Sequence, residues 1–105
     1  MIKRIWHGWT TFENADVYEN LLKKEIFPHI AEKNVKGYKG MELYRRELQD
    51  EIEFITVMDF ENLESVKEFA GEDYELCVVP PTARKVLKHF DERSQHYELR
   101  ERIKY

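Results

Sequence analysis

The 105-residue chain has one cysteine, three prolines, four glycines and no long apolar run. A single thiol, Cys77, excludes an intrachain disulfide. It sits in the apolar run Leu76-Cys77-Val78-Val79, where a buried, inert thiol is expected. No stretch approaches the ~20 apolar residues of a membrane span, and the basic start Met1-Ile2-Lys3-Arg4 is not followed by a signal-peptide core, so a cytoplasmic protein without a membrane partner is expected. Net positive charge is also missing: 17 basic residues against 21 acidic give −4 at pH 7. A field of that sign repels a phosphate backbone, so no nucleic-acid partner is expected. The basic clusters Arg45/Arg46 and Arg84/Lys85/Lys88 are interleaved with or followed by acid and read as solvated faces.

What is present is enough apolar material for one core: 42% of residues are hydrophobic and 13% aromatic. That excludes disorder, and the length allows a single domain over 1–105. Ile2 to Thr10 reads as a strand whose alternating sets, Ile2/Arg4/Trp6/Gly8 and Lys3/Ile5/His7/Trp9, both carry large side chains. Both faces should therefore be covered. Asn14 offers an N-cap to a helix with Tyr18, Leu21, Leu22 and Ile26 on one side, which should stop or kink at Pro28, with a short second turn from Pro28 to Lys33. Lys39–Leu48 and Glu51–Asp59 read as strands joined at Gln49-Asp50. Asn62 caps a second helix, with Leu63, Val66, Phe69 and Ala70 as its buried stripe and Gly71 as its stop. Glu72–Val79 reads as a further amphipathic segment, closed by Pro80-Pro81. Thr82–Phe90 gives no clear pattern, and Arg93–Arg102 alternates as a last strand.

The order β-α-β-β-α-β predicts an α+β fold, a ferredoxin-like sandwich with helices on one face of a four-stranded antiparallel sheet. The other face would then expose Trp6, Tyr44, Phe54 and Met58, a patch large enough to call for a two-fold homodimer through the sheet.

Several segments strengthen this reading: Arg4-Ile5-Trp6-His7-Gly8, Glu61-Asn62-Leu63-Glu64, Phe69-Ala70-Gly71-Glu72-Asp73 and His96-Tyr97-Glu98. Through them nearly the whole chain resembles one branch of the antibiotic biosynthesis monooxygenase superfamily, the dimeric α/β-barrel proteins. The resemblance implies the ferredoxin-like fold, a dimeric barrel, and either cofactor-independent oxygenation of a small aromatic or quinol-type molecule or a non-catalytic ligand-binding or stress-related role. Many relatives end the third strand on tryptophan where this chain has Phe60. Heme-degrading relatives carry a histidine near Val78, so heme degradation is not expected here.

The residues expected to carry chemistry are His7 and His96, brought together by pairing of the first and last strands. Trp6, Trp9, Phe60 and Tyr97 are expected to shape a pocket for a small organic ligand. A histidine can deprotonate a phenol or enol near neutral pH, and the resulting anion is electron-rich enough to meet O₂ without a cofactor. Under that reading His7→Ala abolishes turnover and leaves the dimer folded. An isomerase or decyclase on a phenolic or enolic substrate would use the same base without oxygen. The plainer alternative is that both imidazoles are satisfied sheet residues and the aromatics are core or interface. A metal held by His7, His96 and Glu98 or Asp59 is chemically possible but lacks ligand spacing, and none is expected. Tyr38, Tyr44 and Tyr74 read as core or interface, and His29 and His89 as solvent-facing.

Overall fold

The computed structural model describes residues 1–77 and 79–105. The architecture is α+β, with helices covering one face of an antiparallel sheet ordered β2-β3-β1-β4, and β5 also pairing with β1. The strands are β1 (Ile2–Thr10), β2 (Tyr38–Glu47), β3 (Ile52–Phe60), β4 (His89–Phe90) and β5 (Gln95–Glu98). This is compatible with a ferredoxin-like fold, with one correction. The expected last strand, Arg93–Arg102, is shortened to β5, and a further two-residue strand, β4, precedes it along β1 in the segment that gave no clear pattern. Between them Asp91 N–H still donates to the His7 carbonyl.

The helices are α1 (Ala15–Leu21), α2 (Phe27–Glu32), α3 (Leu63–Ala70) and α4 (Pro81–Arg84). Pro28 does not stop the first helix. A π-helical stretch, Leu22–Ile26, joins α1 to α2, and Phe27 N–H bonds the Leu22 carbonyl five residues back. Widening the turn absorbs the missing proline donor without breaking the rod. Asn14 starts α1 without a side-chain cap, whereas Asn62 Oδ1 accepts from Ser65 N–H at 3.0 Å and caps α3 as expected. Leu63 is exposed, so the buried stripe of α3 is Val66 and, less completely, Phe69.

Glu72–Cys77 is not helical. Leu76 bridges Arg93, and Cys77 N–H donates to the Glu92 carbonyl. Leu76 N–H closes a turn on the Asp73 carbonyl, and pairing of 75–77 with 92–94 satisfies the backbone beyond it, so this segment lies beside the start of β5. Val78, to which the comparison with heme-degrading proteins pointed, lies outside the described residues.

Strand alternation decides which side chains meet the helices. Even-numbered residues of β1 and β3 face them. Phe54 is fully buried with its ring edge on Tyr18 of α1, and Met58 and Phe60 pack with Val66 of α3. A β-bulge between Tyr38 and Gly40 keeps Tyr38 and Met41 on that same face, opposite Phe60 and Met58. Trp6, Phe54 and Met58 therefore face helices, not a twin sheet. Of the four residues expected on the bare face, only Tyr44 is there. That face instead carries Ile5, Ile55 and Val57, with Ile5 opposite Val57 and His7 opposite Ile55. No helix among the described residues is long and apolar enough to cross a membrane.

Candidate functional site

Between the sheet and the helices lies a cavity of about 220 Å³. Its floor is Arg4, Trp6, Met41, Thr56 and Met58, its roof Tyr18, Leu22, Ile26, Phe27 and Ile30, and its sides include Lys33, Phe69, Leu76, Cys77 and Ser94. The π-helical stretch supplies Leu22 and Ile26. Such widened turns recur at functional sites because they shift side chains off the regular helical register.

Arg4 is the polar centre of this space, and it is only 6% exposed. Its Nη1 donates to the Tyr74 carbonyl and lies 3.0 Å from His96 Nε2, while Nη2 is 3.9 Å from Cys77 Sγ. The guanidinium also sits over the Phe69 ring, 5.6 Å from its centroid. Arg45, Arg46 and Arg93 each pair with a carboxylate. Arg4 does not: among the described residues no carboxylate lies within ion-pair distance of it. Burial pushes its pKa down, opposed by Cys77, yet a guanidinium stays charged in a protein. An ion taken from water without a counter-ion costs several kcal/mol, so an unmatched buried cation marks a place where an anion is stabilised.

His96 is set by this neighbour. Arginine can only donate, so Nε2 accepts and the ring proton sits on Nδ1. Nδ1 is buried and has no partner among the described residues. Burial and then the Arg4 charge push the His96 pKa down, with Glu75 opposing, so the ring is neutral at pH 7. Tyr74 meets it edge-on at 5.2 Å. Burial also pushes the Tyr18 phenol up, which keeps that hydroxyl neutral.

The expected pair of histidines does not form. The register places His96 opposite Arg4, so it shares the helix-facing side, while His7 points to the open side. There His7 Nδ1 lies 3.6 Å from Asp91 Oδ2 and its ring meets Trp9 edge-on at 6.0 Å. Trp9 stacks on His89 at 4.3 Å, and His89 Nε2 lies 3.0 Å from Glu51 Oε1. Tyr97 is on the open side too, opposite Lys3 and exposed. Phe60 is fully buried in the core against Tyr38 and Phe69 and does not line the cavity. Of the six expected site residues, only Trp6 lines the cavity. Its Nε1 donates to the Asp91 carbonyl at 2.7 Å, which anchors the indole as a wall.

Arg4, Lys33, Thr56 and Ser94, which line the cavity, carry no chemical motif in the sequence. The parity of β1 carried one usable signal, because Arg4 falls on the same alternating set as Trp6 and is the only charge in it. With His7 and His96 on opposite sides of the sheet, they cannot share a metal. Among the described residues no group of three or more His, Cys, Asp or Glu side chains is placed to hold one. No protein-family model matches the chain, and no curated protein matches it.

Proposed function

We propose that this chain is a monooxygenase-like pocket protein that holds a small aromatic or quinol-type molecule between its sheet and helices and works as a homodimer through the open sheet face. The observation that carries the reading is the apolar, aromatic-walled cavity with one buried cation in it. Ligand sites are concave and mostly apolar, with a few fixed polar groups. At about 220 Å³ the space suits one or two rings.

The cation supplies what cofactor-free oxygenation needs, which is a stabilised phenolate or enolate. At ~4 Å and an effective dielectric near 20 the attraction is about 4 kcal/mol before desolvation, or roughly three pKa units. The anion then reduces O₂ itself. When an activated CH₂ becomes a carbonyl, one oxygen atom enters the product and the other leaves as water with the two hydrogens, so no outside reductant is required.

A non-catalytic ligand-binding role of the same cavity is the second reading. It is favoured by the lining, in which Arg4, Lys33, Tyr18 and Cys77 are the titratable side chains among the described residues and none is a histidine or carboxylate base.

Oxygen uptake with a naphthoquinol, measured above its spontaneous oxidation, tests the proposal alongside calorimetric binding. Saturable uptake with one atom of O₂ entering the product supports the oxygenase reading, and uptake that yields only quinone and hydrogen peroxide overturns it. Saturable binding without uptake selects the ligand-binding reading, and absence of both overturns the cavity as the working site.

A further inference from the structure

Resting on the cavity reading above, we infer that the cavity selects organic acids: its ligand carries one carboxylate, held by Arg4, on an apolar body of one or two rings. Three independent features of the molecule lead there.

The first is donor bookkeeping on Arg4. A guanidinium has five N–H donors. Nη1 is taken by the Tyr74 carbonyl and His96 Nε2, whereas among the described residues Nη2 has only the 3.9 Å contact to Cys77 Sγ and Nε has no hydrogen-bond partner. The edge formed by Nε and Nη2 is the one a carboxylate grips with two parallel hydrogen bonds. The other edge is already tied down, so the fork is held in place before the ligand arrives.

The second is the sign of the whole lining. One residue in five of this chain is acidic, 21 of 105, yet none of the nineteen lining residues is. Arg4 and Lys33 are both there. In a protein of net charge −4, a cavity with two cations and no carboxylate has the opposite field to its surface.

The third is the arrangement of the two cations around one ring. Lys33 Nζ stands 4.7 Å from the Phe69 centroid and the Arg4 guanidinium 5.6 Å from it. Lys33 is exposed and, among the described residues, has no ion-pair partner. It therefore acts at the rim, drawing an anion toward the buried guanidinium, while Leu22, Ile26, Phe27 and Met58 receive the apolar body. A neutral ligand of the same shape leaves the buried Arg4 charge unmatched and the Nε and Nη2 donors unused.

The test compares 2-naphthoate with 2-naphthalenemethanol, an alcohol of nearly the same shape, by calorimetry at pH 7 and low salt. Wild type is expected to bind the carboxylate at least about tenfold tighter. Arg4→Gln should erase that preference while the alcohol still binds. Because Arg4 also holds the Tyr74 carbonyl, Lys33→Glu serves as a second variant on an exposed side chain. It should weaken naphthoate several-fold and leave the alcohol unchanged. Equal affinity of wild type for the two compounds, or a folded Lys33→Glu protein with unaltered naphthoate affinity, overturns the acid inference and leaves the cavity reading standing. Binding of neither compound overturns both.

Discussion

Arg4 Nη1 and His96 Nε2 stand 3.0 Å apart across the β1–β5 pairing, and burial, with this contact second, favours the neutral imidazole. The groups around His96 are Arg4, Tyr74 and Glu75. Burial and Arg4 lower its pKa from the ordinary 6.5, and Glu75 only partly offsets them. As pH falls through 6.5 the unfolded chain takes up this proton before the folded one does. Stability is therefore fully present above 6.5 and is lost as pH drops toward the lower folded-state value. His96→Asn keeps an acceptor for Arg4 but cannot titrate. Thermal melts between pH 8 and 5.5 should show a shallower slope for the variant than for wild type, and equal slopes would remove His96 from the pH response.

Gly8 sits beneath the Trp6 indole. A Cβ added there would stand 2.6 Å from Trp6 Cη2 and 2.8 Å from Cζ3, closer than real Cβ contacts allow. Gly8→Ala must push the ring off its place and strain the Nε1 bond to the Asp91 carbonyl. Overpacking of this kind costs about 1–3 kcal/mol. In a Trp9→Phe background, which isolates the Trp6 signal, emission should shift and naphthoate affinity should fall. Unchanged emission would mean that Trp6 is not clamped as the structure shows.

Phe60 separates a core role from a ligand role. It is fully buried among Tyr38, Met58, Val66 and Phe69 and does not line the cavity. Phe60→Ala should destabilise the protein by about 3–5 kcal/mol in chemical denaturation. Phe60→Leu, a milder change, should leave naphthoate affinity within about twofold. A large loss of affinity with little loss of stability would return Phe60 to the ligand site.

His7 gives the converse case. Its side chain lies across the sheet from the cavity and contacts Asp91 and Trp9. His7→Ala should therefore leave naphthoate binding intact. If oxygen uptake is present in wild type and disappears in this variant while binding persists, the open face takes part in the chemistry and the site extends beyond the cavity.

The element order was legible because hydrophobic period, the Asn62 cap and the Gly71 stop all act locally. The β1 span was read at its observed bounds, and β2 and β3 were each displaced by one residue. What was not legible depended on register. Whether His7 or Arg4 meets His96 is a one-residue question, and a one-residue slip reverses the face of every side chain. The pattern of β1 had two large sets and did not say which one the helices cover. Phe54, fully buried on Tyr18, settles that, and with it the side on which Trp6 and Arg4 lie. The kink at Pro28 and the short helical turn after it are legible in the sequence and appear as α2, whereas the π-widened stretch that joins it to α1 leaves no mark there.

The open face of the sheet carries other apolar residues than Trp6, Phe54 and Met58. On the open face Ile5, Ile55 and Val57 form an apolar centre, with Tyr44 at 51% and Tyr97 at 57% exposure beside it. Ion pairs flank that centre: Lys3 Nζ is 2.6 Å from Asp59 Oδ1, and Arg46 holds Glu53. An apolar middle with a charged rim is the usual anatomy of an interface, and two copies related by a two-fold axis would present it to each other. Ile55→Lys places a charge in the middle of that patch without touching the helix-facing core. Sedimentation at micromolar concentration should give a dimer for wild type and a folded monomer for the variant. Because the cavity is built within one protomer, the monomeric variant should still bind naphthoate. A monomeric wild type would leave the open face as solvated sheet and remove the homodimer from the proposed function, while the cavity and its buried cation would keep their roles.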